Sequence, residues 1–158
     1  MGYPESLLSI ITTKEINLPK MKKPVSLHEE YTHNFRFSQE EVDMFARVTG
    51  DNNPVHTDEA YAAQTIFKKR VMHGMLGAAV FSRVFGTLFP GEGTIYLKQD
   101  LKFLKPMFVD TDYKVIFRVE ELWTEKHRAR VSTSIIEADS GAICTSGEAL
   151  VMNPLRIN

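Results

Sequence analysis

The feature that most restricts the fold of this 158-residue chain is an apolar stretch, Val71–Phe89, which reads VMHGMLGAAVFSRVFGTLF. Its apolar residues fall on nearly every side of a helix, and such a helix is normally buried inside a protein. A membrane-spanning helix would need about 20 apolar residues in a row. Arg70 and Arg83 leave only twelve residues between them. The stretch therefore predicts a long core helix over residues 74–88, ended by the proline–glycine pair at 90–91.

The sequence on either side of this helix predicts what packs around it. Downstream, a period of two predicts strands over residues 94–104, 112–123, 128–138 and 142–152, with a hairpin turn at Asp139–Gly141. Upstream, residues Val25–Phe37 alternate weakly as a first strand. Ser38 and Glu41 form a capping box for a helix that Gly50 ends. These elements predict an α+β fold in which a curved antiparallel sheet wraps one long central helix.

Composition limits the kind of protein without identifying it. The chain has a net charge of −1, which argues against nucleic acid as a partner. A single cysteine, Cys144, excludes an internal disulfide framework and a multi-cysteine metal site, and it is expected to be a buried thiol. No secretory signal is recognised at the start, so a cytoplasmic location is the default expectation. We divide the chain into an arm or linker, residues 1–24, and one domain, residues 25–158.

The run GDNNPVH, residues 50–56, carries the clearest chemistry in the chain. It places a carboxylate, Asp51, and an imidazole, His56, on either side of Pro54. Pro54 restricts the backbone, so both side chains are expected on a rigid, non-helical turn, followed by a short helix capped by Thr57 or Asp58. A carboxylate and an imidazole that converge on one water form a general acid–base pair near neutral pH. Taken alone, such a pair more often belongs to an ordinary capped turn than to a catalytic site.

Gly74, at the start of the apolar helix, is a second candidate. The first N–H groups of a helix lack intrahelical acceptors, and the helix dipole favours negative charge there. A glycine at this position allows a carbonyl oxygen to approach the backbone, which would make an oxyanion site for a thioester. The alternative is that Gly74 only permits close packing. His73, immediately before it, is interpreted as structural.

Together, the run VTGDNNPVHTDEAYA and the stretch from VMHGML to LKPMFVDT resemble the MaoC-like, or type 2 (R)-specific, enoyl-CoA hydratases. The resemblance covers roughly residues 35–125. It implies a single hot-dog fold and action on trans-2-enoyl and (R)-3-hydroxyacyl thioesters of CoA or acyl carrier protein. It also implies a homodimer, with no metal and no redox cofactor.

The resemblance also assigns roles to particular residues. It makes Asp51 and His56 the catalytic pair. We expect Asp51 to take a proton from water and His56 to orient that water and relay a proton to C2, with a shared or exchanged division of these two roles left open. Asn53 matches the asparagine of the motif. Gly74 matches the glycine whose amide holds the thioester oxygen. Ser82 matches a serine on the inner helix face near the pair.

Two further predictions concern substrate binding. The loop Gln64–Arg70 is expected to border the thioester entrance, with Lys68, Lys69 or Arg70 near the CoA phosphates. Many relatives have a proline before the helix where this chain has Arg70, which puts the loop shape in question. The acyl chain is expected to end against residues of the central helix, namely Phe81, Phe85 and Leu88. Lys98, Lys102 and Lys105 are expected to be solvated, although one or two could meet the phosphates.

Three functions remain open at this level. The first is a hydratase or dehydratase that uses Asp51 and His56. The second is a thioesterase, in which a carboxylate directs water to the carbonyl carbon instead of C3. The third is a non-catalytic protein that binds acyl thioesters. Retention of both Asp51 and His56 favours the hydratase.

Overall fold

The computed structural model of the chain describes residues 23–158. The predicted arm, residues 1–24, therefore lies outside the described residues except for its last two. The described elements follow the order β1 Glu30–Phe35, α1 Gln39–Thr49, α2 Pro54–Thr57, α3 Glu59–Gln64, α4 Gly74–Thr87, β2 Ile95–Phe103, β3 Tyr113–Trp123, β4 Arg128–Glu137 and β5 Ile143–Met152.

All five strands form one antiparallel sheet in the order β1-β3-β4-β5-β2. The four strands predicted downstream of the helix are confirmed to within a residue at each end. Burial alternates along β3, where Val115, Phe117 and Val119 face inward and are completely buried. The strands β1 and β2 form the two edges of this sheet.

The helix α4 lies against the inward face of the sheet and shares one hydrophobic core with it. The rings of Phe81 and Phe85 meet the ring of Phe117 edge to face, with centroids 5.7 and 4.9 Å apart. Such pairs are favourable beyond the area they bury. The α+β hot-dog arrangement predicted from the sequence is confirmed.

One detail of the prediction is wrong for the single chain, because α4 is not enclosed on every side. Met75, Ala79 and Ser82 lie along an uncovered stripe of the helix, and Met75 is 57% exposed. The sheet covers only the opposite stripe, which includes Phe81, Val84 and the other buried residues of α4. The apolar character of this helix therefore exceeds what one chain needs for its own core.

The strand β5 contains one irregularity near its start. Ile135 pairs with Thr145 and Ile136 pairs with Ile143, so Cys144 is an extra residue in β5. A bulge of this kind disturbs the alternation of side chains between the two faces. Both Cys144 and Thr145 are consequently buried, and burial raises the pKa of the Cys144 thiol. The prediction of a buried thiol is confirmed.

Within residues 23–158, no helix combines the length and the apolar character needed to cross a bilayer.

Candidate active site

The segment that carries Asp51 and His56 begins at the end of α1. The capping box of Ser38 and Glu41 is confirmed, and Gly50 ends the helix in the left-handed conformation with φ of 78°. Glycine adopts this left-handed backbone conformation readily because it has no Cβ. The turn places Asp51 directly beyond the helix, where its carboxylate is 54% exposed.

The expectation of a non-helical turn after Asp51 is wrong. Pro54–Thr57 is one turn of helix, with Asn53 as its N-cap and Pro54 in its first turn. The Asn53 side chain accepts a hydrogen bond from the Val55 amide at 3.3 Å. An asparagine cap followed by proline is a favourable helix start, because proline lacks the N–H that would be unsatisfied there. His56 therefore projects from a helical turn.

The imidazole of His56 is held in one tautomer. Its Nδ1 lies 2.7 Å from the carbonyl oxygen of Val71. A carbonyl oxygen can only accept, so Nδ1 carries the proton and the lone pair of the neutral ring is on Nε2. Burial lowers the pKa of His56 below its ordinary value of 6.5, and nearby His73 adds to this effect. The bond to Val71 and the charge of Asp51 oppose it only in part.

His73 is the residue of this region that the sequence analysis undervalued. It is 2% exposed, and its Nε2 donates to the main-chain oxygen of Asp51 at 3.0 Å. Its ring stacks on the ring of His56, with centroids 3.8 Å apart and planes 30° apart. Phe45 of α1 contacts the His73 ring, with centroids 5.0 Å apart. The sequence signal that could have indicated a role for His73 was its position immediately before Gly74.

Gly74 is the first residue of α4, as predicted, and His73 is its N-cap. The His73 carbonyl accepts hydrogen bonds from the amides of Leu76 and Gly77. The Gly74 amide has no acceptor among residues 23–158. The Phe103 ring lies over this glycine, so that a Cβ on residue 74 would be 2.7 Å from Cε1 of that ring. Close packing and an available helix-start donor therefore occur at the same residue.

These groups line one pocket of about 420 Å³. It contains Asp51, His56 and Gly74, and its remaining lining comes mainly from the loop before α4 and from the segment after β2. Phe67 belongs to the predicted entrance loop, and Lys105 was a possible phosphate contact. The lining residues that the sequence analysis did not assign to the site are Val71, Met72, His73, Met75, Phe103, Leu104, Pro106, Met107 and Thr145. A pocket of this size and largely apolar lining is typical of small-molecule sites.

Met107 and Thr145 are two of the buried residues that line the pocket, and they are 3% and 1% exposed. The Thr145 hydroxyl is buried and has no hydrogen-bond partner within the described part of the chain. A buried hydroxyl normally finds a partner in protein, water or ligand. The Thr145 hydroxyl is therefore a polar group on a part of the pocket wall that is otherwise apolar.

The predicted pair is brought together by the fold, because ligand atoms of Asp51, His56 and His73 all lie within 4.8 Å of one another. Three such groups resemble a metal cluster. Each of the two rings donates from one nitrogen to a main-chain oxygen, which leaves its other nitrogen with a lone pair. Rings held in this way can transfer protons and are also suited to metal binding, so the absence of a metal stays a prediction.

Other predicted site residues do not line this pocket, namely Asn53, Arg70, Phe81, Ser82, Phe85 and Leu88. Ser82 is exposed on α4, so the expectation that it lies on the inner helix face near the pair is wrong for the single chain. Phe85 is enclosed in the core against Phe117 and Tyr96 instead of ending the pocket. Arg70 forms an ion pair with Glu59 at 2.8 Å.

The loop Gln64–Arg70 does border the pocket, through Phe67. Its cations are placed less favourably than expected, since Lys69 lies 4.0 Å from the centre of the Phe108 ring. Lys105 is instead the cation that lines the pocket, and it is exposed. Lys98 is also exposed and pairs with Asp100 at 3.1 Å.

Chemically, the pocket combines an exposed carboxylate, a neutral imidazole with a free Nε2 lone pair, and a helix-start amide. The first two can bind and deprotonate a water molecule, and the third can stabilise negative charge that develops on an oxygen. The apolar walls leave room for an acyl group between them.

Comparison with known proteins gives consistent results. Residues 17–139 match the family described as MaoC like domain. The chain is 41% identical to an (R)-specific enoyl-CoA hydratase of Aeromonas caviae over 119 residues, which are 75% of this chain and 88% of that protein. It is 39% identical to a 3-hydroxybutyryl-CoA dehydratase of Methylorubrum extorquens, over 74% of this chain and 73% of that one. The solved (R)-hydratase of A. caviae matches with a TM-score of 0.79 at 38% identity, over 82% of this chain and 98% of that chain.

Proposed function

This chain belongs to the MaoC-like dehydratase family, and we propose that it is an (R)-specific enoyl-CoA hydratase, or 3-hydroxyacyl-thioester dehydratase. As a hydro-lyase it adds water reversibly to a trans-2-enoyl thioester and yields the (R)-3-hydroxyacyl thioester. The observation that carries this proposal is the 41% identity to an enzyme of that activity. The convergence of Asp51, His56 and the Gly74 amide on one pocket supports it independently.

The proposed reaction begins with one water held between the Asp51 carboxylate and Nε2 of His56. As the water oxygen bonds to C3 of the substrate, one O–H bond breaks and the dyad receives the proton. The electron pair of the C2–C3 double bond moves towards the thioester carbonyl. When the resulting enolate collapses, the proton returns from the dyad to C2. Water is consumed and no other reactant is needed.

The state of His56 supports a shared role for the two residues. The sequence-based hypothesis gave the water proton to Asp51, with His56 as the relay. Because the His56 pKa is lowered and Val71 fixes the proton on Nδ1, Nε2 can itself accept the proton and then pass it to C2. The Asp51 charge would then stabilise the imidazolium. Asn53 contributes by holding the turn between the two residues.

The enolate intermediate needs a donor at the thioester oxygen. We propose the Gly74 amide for this role, because it begins α4 and has no acceptor among residues 23–158. The dipole of a helix of this length adds favourable potential at its first turn. Removing one such donor in other enzymes costs about 10²–10³ in rate.

We also propose that the active form is a homodimer. The edge strand β2 has exposed apolar side chains, including Ile95 and Leu97, and the uncovered stripe of α4 includes Met75 and Ala79. Proteins usually cover or pair an edge strand of this kind, and an isologous two-fold contact would do so. Ser82 lies on the same stripe, so a second copy would bring it into an enclosed environment.

The test is to follow purified protein with crotonyl-CoA at the enoyl-thioester absorbance, while released thiol is measured in parallel. Loss of absorbance without thiol release is the expected result. Thiol release from an acyl-CoA would identify a thioesterase instead. Binding without either change would identify a non-catalytic acyl-thioester protein. Repeating the assay with acyl carrier protein substrates would establish the carrier.

A further inference from the structure

The loop Gly50–Asn53, which carries Asp51, is connected to more distant parts of the described chain by a hydrogen bond from one side chain. Among residues 23–158, the hydrogen bonds of Gly50–Asn53 are local, except for the bond from His73 Nε2 to the Asp51 main-chain oxygen at 3.0 Å. These two residues are 22 positions apart in the chain. The side chain of His73 therefore connects the carboxylate loop to the start of α4.

The same ring also restrains the other member of the dyad. His56 is stacked on His73 at 3.8 Å, while Phe45 contacts His73 from α1. The bond from His56 Nδ1 to Val71 fixes which edge of the ring faces the pocket. The stack with His73 limits the tilt and slide of the ring. The two contacts together leave the Nε2 lone pair in one direction.

The backbone of His73 connects the third group of the proposed mechanism, the Gly74 amide, to Asp51 and His56. His73 is the N-cap of α4, and its carbonyl accepts the amides of Leu76 and Gly77. Its main chain is thus held by the helix, and the next amide along the chain is that of Gly74. A side chain that also holds Asp51 and His56 joins both to this helix start.

From these contacts we propose that His73 is a positioning residue, whose ring and N–H set Asp51 and His56 relative to the Gly74 amide. The proposal rests on the proposed function for its kinetic consequence. A residue that only filled space would need no nitrogen here, and Nδ1 of His73 is buried without a partner among the described residues. Leaving a polar atom unpaired in this way is unfavourable. Phenylalanine would avoid that cost, but it could not bind the Asp51 oxygen.

Two substitutions separate the two contacts. His73→Phe keeps a ring to stack on His56 and removes the donor to Asp51, whereas His73→Gln keeps a donor and removes the ring. Small displacements of catalytic groups can reduce rates by about 10²-fold. We expect each variant to lower kcat by about 10-fold or more, with little change in KM.

His127 provides a matched control, because its Nδ1 donates to the Ile157 carbonyl at 2.7 Å outside the pocket. His127→Gln should lower the thermal midpoint and leave kcat unchanged. A wild-type kcat in a folded His73→Phe or His73→Gln would overturn the proposal. An equal loss of kcat in His127→Gln would do the same. If His73→Phe does not fold, His73→Gln decides alone.

A spectroscopic measurement separates this proposal from the proposed function. The ring protons of His56, identified by their loss in His56→Ala, should shift in His73→Gln because a stacked ring is removed. If the wild-type protein hydrates no enoyl thioester and this shift occurs, the proposed function fails while the positioning of His56 by His73 stands. Unchanged His56 signals would overturn the positioning role whatever the activity.

Discussion

The terminal methyl group of Met107 lies beside Gly77, where a Cβ on residue 77 would overlap it. Gly77 is one turn further into α4 than Gly74. Met107 therefore closes the pocket at the second turn of the helix, well before Phe81 and Phe85. We therefore expect this pocket to accept a short acyl group, whose length is limited by a side chain that comes from outside the helix.

The first prediction concerns Met107→Ala. Removing this side chain should admit about two further methylenes, and each buried methylene contributes about 0.8 kcal/mol. The ratio of kcat/KM for trans-2-octenoyl-CoA to that for crotonyl-CoA should rise about 10-fold, since each 1.36 kcal/mol is about tenfold.

The control for this substitution is Met44→Ala, because Met44 is exposed on α1. It should leave the ratio unchanged. Core Met→Ala substitutions cost about 2–5 kcal/mol of stability, so the thermal midpoint of Met107→Ala should be measured first. A folded Met107→Ala with the wild-type ratio would show that Met107 does not limit the acyl chain.

The second prediction concerns the dyad. Asp51→Asn and His56→Ala should each lose at least about 10² in kcat, because general acid–base groups contribute about 10²–10⁴. Asp58→Asn and His33→Ala are suitable controls, since neither residue lines the pocket and asparagine also caps helices well. Wild-type hydration of crotonyl-CoA by both folded dyad variants would disprove the assignment.

The third prediction concerns Lys105, which we expect to contact the CoA phosphates because it is the cation that lines the pocket. Lys105→Ala should raise KM for crotonyl-CoA by about 2- to 5-fold and leave kcat nearly unchanged, as expected for an exposed ion pair of about 0.2–1 kcal/mol. Lys98→Ala should have no effect, because Lys98 lies outside this pocket. The difference between the two variants should shrink as salt increases. Equal KM values at low salt would remove Lys105 from the binding site.

The fourth prediction concerns assembly. Leu97→Lys places a charge on the exposed edge strand β2 and should convert a dimer to a monomer in sedimentation velocity at micromolar concentration. Val48→Lys is the control, because Val48 is 81% exposed on α1 and outside the proposed contact. A wild-type protein that sediments as a monomer would contradict the dimer.

The fifth prediction concerns pH. Because the pKa of His56 is lowered in the folded protein, the unfolded chain binds more protons than the folded chain below the ordinary value of 6.5. The free energy of unfolding therefore decreases as the pH falls below 6.5. Above this pH, His56 is neutral in both states and does not change the free energy of unfolding. Between pH 7 and pH 5, the thermal midpoint should fall more for the wild type than for His56→Gln. Equal decreases would mean that His56 is not desolvated.

Local patterns account for the parts of the fold that were predictable. The strands β2–β5 follow their period of two, and the capping box at Ser38 and the glycine at residue 50 mark the ends of α1. The proximity of the Asp51 and His56 side chains was also predictable, because the two residues lie close together in the chain. The helical turn α2 was missed even though Asn53 and Pro54 are a favourable local start, because proline was interpreted only as a restriction.

The remaining errors involve residues whose partners are distant in sequence. The Asp51–His73 contact spans 22 positions, and Met107 meets Gly77 across 30 positions of the chain. Ser82 was misplaced because the sequence shows that α4 is apolar but not which stripe the sheet covers. Such contacts depend on tertiary packing, which no local pattern encodes.

The extra residue in β5 has a consequence for comparing chains of this fold by length. Thr145 keeps the regular register, because it pairs with the buried residue Ile135, and Cys144 is the inserted residue that adds a second buried side chain. Removing Cys144 alone would restore regular alternation and leave Thr145 opposite Ile135 on the buried face. A chain of this fold that is one residue shorter at this point is therefore expected to lose the buried thiol and to keep the Thr145 hydroxyl on the pocket wall.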